Sequence, residues 1–378
     1  MSLRRILLMM VVGLMAVSLG WASGEAEGGD GEDPVYIGVS APLTGDFAAN
    51  GEYIRTGVLY GQEVINSNGG LRGRPVELII EDSKGDPTEG VLIAQRFAQN
   101  EDIVAVVGDF SSSVSMAAAE IYNQAGIVQI SPTASHPDYT KIGEYIFRAG
   151  ATQTAEGPFL ARWAVEDLDI DTIATVYINS DWGVVANRFF VEEAESLDAE
   201  VTNQESYITG DKDFQATITK IRRADPDMVF LAMPWADAGA IIGQMGQVGY
   251  LPTLMGPGQL STEDLIAMTG DYSEGLRANA QYFREDTRAV SQNFTSGYDD
   301  MFGELPHDHA ALAYDALMLV ANAIEDVGFD RDAIRDALAE TESYEGVTGG
   351  IEFDENRDPI KEFVKIQIID QRWTVAEN

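Results

Sequence analysis

Cysteine is absent from the chain. Its absence excludes disulfides, thiolate catalysis, Cys-ligated zinc and lipid attachment through an N-terminal cysteine. Positive charge is also scarce. Six lysines and 18 arginines stand against 62 acidic residues, a formal net charge of −38, and there are three histidines. A surface of that sign repels nucleic acid and anionic lipid headgroups. After the first 20 residues no apolar run is long enough to span a membrane. What remains is a globular composition, 45% hydrophobic over 378 residues, enough for about two domains of ordinary size.

Residues 1–22 have the layout of an export signal: Arg4 and Arg5, the apolar run Ile6–Leu19, then Gly20 and Ala22 around Trp21. Cleavage is expected after Ala22, with a retained anchor as the rival reading. Loss of this segment removes two arginines and no acid, leaving 22 basic residues against 62 acidic and a formal charge of −40. That balance suits an exported protein kept soluble at raised salt, where screening weakens self-repulsion. Residues 23–33 (SGEAEGGDGED) are glycine and acid without periodicity, a disordered acidic linker. Order is expected from Pro34.

The most informative stretch is Ile103–Ser135. Ile103–Val107 is a continuous β-branched run, as in a strand buried on both faces of a parallel sheet, and Gly108 ends it. Ser111, Ser112 and Ser113 then precede the small-residue helix Val114–Ala125, so one of them is expected to cap it. Serines at a helix start bring hydroxyls, free N–H groups and the positive end of the helix dipole to one point, which suits a carboxylate or other anion. The chain returns through Ile127–Ile130 and stops at Ser131-Pro132-Thr133-Ala134-Ser135. Loops at the carboxyl ends of neighbouring parallel strands line one crevice. Ordinary capping and turn chemistry is the competing account of both.

Strand and helix patterns alternate up to Arg148 and restart from Thr154, with strands at Thr172–Ile178, Ala199–Tyr207, Met228–Met233 and Thr253–Met255. The expected fold class is therefore α/β, two doubly wound parallel-sheet domains. Helices near Ala289–Phe302, Ala310–Val327 and Arg331–Ala339 have no strands between them and are expected to pack back onto the first sheet. The chain ends in strand-like Gly350–Phe353 and Phe363–Ile369.

Val35–Gly45 (VYIGVSAPLTG), Asn68–Pro87 (NGGLRGRPVELIIEDSKGDP), Gly108–Tyr122, Ile130–Ala134 (ISPTA), Gly210–Asp227 (GDKDFQATITKIRRADPD) and Met255–Gly258, in that order and spacing, resemble the solute-binding proteins of branched-chain amino-acid ABC importers. The resemblance covers essentially all of the chain after the linker. It implies a type I periplasmic-binding-protein fold with a ligand closed between two domains by hinge bending, residues 34–151 plus 281–351 forming the first and 152–280 plus 352–378 the second. Carried over residue by residue, Ser112 looks like the serine that holds the ligand carboxylate, with Ser111 and Ser113 beside it. Thr133, Ala134 and Ser135 look like the next binding loop. Trp182 looks like the aromatic that closes from the second domain, and Trp235 and Asp237 follow a strand that ends nearby.

The departures fall at the ammonium. Where the family tends to place an acid after Met255-Gly256-Pro257, this chain has Gly258 and Gln259; Gly150–Thr154 carries no acid; and the first-domain aromatic is replaced near Asn50. Asp237 is the one acid expected at the cleft. A buried ammonium without an acid is costly, so a carboxylate or amide lacking the α-amino group is the alternative ligand.

The remaining motifs favour binding over chemistry. His307-Asp308-His309 reads as a surface helix cap rather than a metal site, and no metal or cofactor is expected. His136 beside Ser135 is the only candidate base for Ser112, no nucleophile elbow occurs, and the glycines of Asn68–Gly73 lack dinucleotide spacing. Trp163 and Trp373 read as packing. The resulting expectation is a periplasmic, monomeric, non-enzymatic receptor that delivers a small polar solute to an ABC permease. A ligand-sensing partner for chemotaxis or signalling is the alternative.

Overall fold

The computed structural model describes residues 33–376. The expected signal and all but the last residue of the expected linker lie outside them. Fourteen strands and eleven α-helices follow. The first sheet contains β1 (Val35–Ala41), β2 (Val76–Asp82), β3 (Ile103–Gly108), β4 (Val128–Ser131) and β5 (Ile146–Arg148) in the order β2-β1-β3-β4-β5. All its pairs are parallel. The second contains β6 (Thr172–Ile178), β7 (Glu200–Tyr207), β8 (Met228–Ala232), β9 (Thr253–Gly256), β10 (Arg277–Ala280), β13 (Val364–Ile369) and β14 (Arg372–Val375) in the order β14-β13-β10-β9-β8-β6-β7. A small hairpin, β11 (Tyr344–Gly346) and β12 (Gly349–Ile351), stands apart from both.

The second sheet is mixed rather than wholly parallel: β13 runs antiparallel to β10, and β14 antiparallel to β13. The turn at Asp370-Gln371, where both residues have positive φ (52° and 57°), reverses the chain between β13 and β14. That is the handedness a tight two-residue hairpin requires.

The helices are α1 (Ala48–Ser67), α2 (Pro87–Gln99), α3 (Ser112–Ala125), α4 (Gln153–Arg162), α5 (Asp181–Ser196), α6 (Gln215–Ala224), α7 (Trp235–Gln247), α8 (Glu263–Thr269), α9 (Ala289–Phe302), α10 (Asp308–Val327) and α11 (Arg331–Ala339). Several begin at the caps legible in sequence. Asp86 accepts from Thr88 and Glu89 N–H with Pro87 at the first helical position, and Ser111 Oγ accepts from Val114 N–H at 3.2 Å.

The late helices cover the first sheet. Ala313–Ile324 of α10 and Ile334 and Leu338 of α11 share one apolar core with β1, β3 and β4. Small residues let α10 close on α1: a Cβ on Gly57 would sit 2.2 Å from the carbonyl oxygen of Ala310. Three segments, residues 149–152, 281–288 and 352–363, carry the chain between the two sheets and their helices. The first two are tied together, Ala151 N–H donating to Gln281 Oε1 at 2.7 Å.

Candidate functional site

The carboxyl ends of β3 and β4 are fastened to each other by hydroxyls. Ser131 Oγ donates to the carbonyl of Asp109 at 2.7 Å and accepts from Ala134 N–H; Thr133 Oγ1 donates to the carbonyl of Phe110 at 2.7 Å. Asp109 is the buried anchor of this corner, taking Ser40 Oγ–H on one oxygen and Ser111 N–H on the other. Burial pushes its carboxyl up to about 6, against the hydrogen bonds of Ser83, Ser111 and Ser40.

The three serines divide the work at the head of α3. Ser111 is the cap. Ser112 is buried and its Oγ accepts from His136 N–H at 3.3 Å. Ser113 Oγ donates to Asp181 Oδ2 of the opposite lobe at 2.7 Å. All three line a cavity of about 210 Å³, together with Thr133, Phe47 and Phe110 from the first lobe and Ile178, Trp182, Pro234 and Gln259 from the second. Phe47 and Phe110 lie with ring centroids 5.7 Å apart. The cavity therefore joins hydroxyls and a helix N-terminus on one side to apolar and aromatic walls on the other, the usual makeup of a small-molecule site.

A smaller inner cavity of about 30 Å³ adjoins it, sharing Thr133, Trp182 and Gln259. Ser135, Gly258, Glu156, Asp308 and His309 complete its lining with the crossing residues Gly150, Ala151 and Gln281. Burial holds the His309 ring down at about 4 and pushes the Asp308 carboxyl up to about 7. Burial likewise raises Glu156 above the usual carboxylate range, against the hydrogen bonds from Asn279, Gly258 and Gln153.

Of the residues singled out in sequence, Ser111, Ser112, Ser113, Thr133, Ser135, Trp182, Gly258 and Gln259 are brought to these two cavities. Four are not. Ala134 has both main-chain groups engaged, its N–H by Ser131 Oγ and its carbonyl by Arg148 Nη1. Asn50 is buried in α1 against His309, Nδ2 to Nδ1 at 3.4 Å, and Phe47 one turn earlier supplies the first-lobe aromatic instead. Helix α7 starts at Trp235, so Trp235 packs against the second-lobe core and Pro234 lines the cavity. Asp237, one turn in, is buried and occupied by Tyr207 O–H at 2.6 Å and by the ammonium of Lys212.

His307 does cap α10, but it is buried, with Nδ1 accepting from His309 N–H. Among the described residues no group of three or more His, Cys, Asp or Glu side chains could hold a metal ion. Trp163 and Trp373 are buried, and Trp373 Nε1–H donates to the carbonyl of Thr262.

Phe47, Phe110, Glu156 and Asp308 also line these cavities, and none of them stands out as a site residue in the sequence. Phe47 and Phe110 sit in the loops after β1 and β3, which was the available signal. Glu156 lies three residues into α4, on the face of Gln153, two positions beyond Gly150–Thr154.

Two α/β lobes, linked by three crossings and enclosing a polar-and-aromatic cavity, define an extracytoplasmic solute-binding receptor. The profile of the periplasmic binding protein family matches residues 34–369, and the chain belongs to that family, which is a solute-binding family and not one of enzymes. It is 30% identical over 333 residues to the leucine-, isoleucine-, valine-, threonine- and alanine-binding protein of Pseudomonas aeruginosa, covering 86% of this chain and 87% of that one. Among solved structures, the branched-chain amino-acid transporter substrate-binding protein of Streptococcus pneumoniae in complex with isoleucine superposes with a TM-score of 0.86 at 26% identity, covering 91% of this chain and 99% of that one. A leucine-binding protein from Thermotoga maritima gives 0.85 at 26%, covering 91% and 98%. Among the described residues no helix is long and apolar enough to cross a membrane.

Proposed function

We propose that this chain is the receptor of an ABC importer. It captures an amino acid or related small carboxylate or amide between its lobes and presents the closed form to a membrane permease. The observation that carries the reading is the placement of the α3 serines and Trp182, from opposite lobes, around one cavity. A ligand carboxylate sits at Ser111–Ser113, where N–H groups, hydroxyls and the helix dipole converge. Its apolar part lies among Phe47, Phe110 and Trp182.

The hinge lies in the three crossings, with residues 34–151 plus 281–351 moving against 152–280 plus 352–378. Residues 1–22 act as the export signal, the protein works in the periplasm as a monomer, and Ser112 performs no catalysis. The last point is supported by how His136 is used: it meets Ser112 through its main-chain N–H, while its ring Nδ1 accepts from Asp138 N–H. That leaves Ser112 without the activated-nucleophile arrangement.

The test is a thermal-shift screen of aliphatic and aromatic amino acids, their amides and simple carboxylates, followed by calorimetry, since a ligand that binds only the folded state raises its melting temperature. Saturable binding at one site that is weakened by Ser112→Ala is expected. Binding unaffected by that substitution would place the ligand elsewhere.

A further inference from the structure

Another cavity lies between the lobes, apart from the two described above. It measures about 300 Å³, more than the cavity at the head of α3 and at the lower end of the usual size for a small-molecule site. The first lobe supplies Tyr53 of α1 and residues 304–308 before and at the head of α10. The second supplies residues 261–264 at the approach to α8, with Ile366 of β13 and Trp373 of β14. Residues 282–284 of the middle crossing complete the wall, and Asp308 lines both this cavity and the inner one.

Four aromatic rings, Tyr53, Tyr282, Phe283 and Trp373, give it apolar sides. Their polar atoms are already used: Trp373 Nε1–H on the carbonyl of Thr262 at 3.2 Å, Tyr53 O–H on Asp264 at 3.0 Å, and the Tyr282 hydroxyl with Thr295 at 2.6 Å. His307 is different. It is 8% exposed, lines the same cavity, and its Nε2 has no hydrogen-bond partner among the described residues. Nδ1 accepts from His309 N–H at 3.0 Å, and burial holds the imidazole well below its ordinary pKa, so the ring is neutral with its proton on Nε2. Tyr53 stacks on it, with centroids 4.2 Å apart and planes within 8°. An N–H buried without an acceptor is costly, and an acceptor on a bound molecule removes that cost.

Charge narrows the choice of acceptor. Glu263, Asp264 and Glu304 are exposed at the rim against Arg284 alone, whose guanidinium already pairs with Glu263 at 2.6 Å, and Asp308 adds a buried carboxyl behind them. Such a lining repels a carboxylate or phosphate. The oxygen that answers His307 therefore belongs to a neutral carbonyl or hydroxyl.

We propose that this cavity is a second binding site, taking a small uncharged aromatic molecule with a carbonyl or hydroxyl group, and that its occupant tightens solute binding by touching both lobes at once. A molecule held by both lobes favours the arrangement in which they meet, and the coupling between two such sites is reciprocal. The site stands on its own geometry, and the coupling rests on the proposed function.

Benzamide is the probe and benzoate its charged counterpart, followed by ligand-observed NMR on the purified exported chain. Benzamide is expected to bind saturably, and equally well in Ser112→Ala, whose defect lies in the solute cleft; in that variant benzoate is expected to bind at least about tenfold more weakly. Leu305→Trp, at a half-exposed position in the lining, is expected to weaken benzamide at least about tenfold by filling the cavity, with the far-UV spectrum retained. His307→Phe, which keeps a ring against Tyr53, is expected to weaken it about tenfold. Saturating benzamide is expected to tighten the solute found in the thermal-shift screen at least about threefold in calorimetry, and Leu305→Trp to cancel that gain. Benzamide binding that is lost in Ser112→Ala and kept in Leu305→Trp lies in the solute cleft and overturns the proposal. Benzoate bound as well as benzamide in Ser112→Ala overturns it, as does binding of neither probe or a solute affinity indifferent to benzamide. Failure of every solute in the screen removes the receptor reading and the coupling, while the benzamide measurements still decide the second site.

Discussion

Ser113 Oγ donates to Asp181 Oδ2 at 2.7 Å, joining the head of α3 in the first lobe to the head of α5 in the second. Asp181 precedes Trp182, and Ser113 follows Ser112, so the bond closes the lobes beside the residues that line the cavity. Tyr53 O–H makes a second such link to Asp264 Oδ2 at 3.0 Å. The two lobes are therefore joined by hydrogen bonds between their own side chains, beside the cavity.

Ser113→Ala removes one of these links without touching the cap. The bond is exposed, so the loss is expected to be no more than about 1.5 kcal/mol. The expected signs are a larger radius of gyration for the ligand-free protein by small-angle scattering and several-fold faster ligand release in stopped flow. If neither moves, the link plays no part in closure.

Ser112→Ala acts on the ligand instead. Loss of a charge-assisted bond at a desolvated carboxylate is expected to weaken binding by about 1–3 kcal/mol in calorimetry, with scattering of the ligand-free form unchanged. The contrast between neighbouring serines separates holding the ligand from holding the lobes.

Arg148 is fully buried at the end of β5. It donates to the carbonyls of Ala134 and His136, both at 2.8 Å, and pairs through Nε with Asp358 at 2.7 Å. It thereby fixes the loop that carries Thr133 and Ser135. Arg148→Met strands those carbonyls and leaves Asp358 without its cation, at an expected cost of about 3–5 kcal/mol. Urea unfolding followed by circular dichroism measures it; a loss below about 1 kcal/mol would mean that the loop is held by other contacts.

Asp109 gives a pH signature. Its carboxyl titrates near 6 in the fold, raised by burial from an ordinary value of 3.8. Between those two values the folded state holds a proton that the unfolded state has released, so this group's contribution to stability is present below about pH 4 and is lost as pH rises through about 6. Asp109→Asn is expected to remove that part of the slope of melting temperature against pH between 4 and 6. An identical slope in the variant would show that Asp109 does not titrate there.

Much of the architecture was legible in one dimension. The strands at Thr172–Ile178 and Ile103–Gly108, the cap at Asp86 and the helices Ala289–Phe302 and Arg331–Ala339 follow from β-branched runs, capping residues and periodicity, all properties of adjacent residues. The elements missed were β5, β10, β11 and β14, of three or four residues each. Segments that short carry too little pattern to stand out, and their partners across the sheet define them. Asp237 lies away from the cavities for a related reason. Its position after β8 was right, but the phase of α7 turned its carboxylate to Tyr207 and Lys212.

The sequence by itself determined the longer strands and helices, the serine cap at the head of α3 and the family, because each depends on neighbouring residues or on motifs in a fixed order. Only the tertiary structure decided which polar groups face the cavity. Glu156 meets Asn279 across 123 positions and Gly258 across 102, and nothing local records a contact that exists only once helices and sheets have packed.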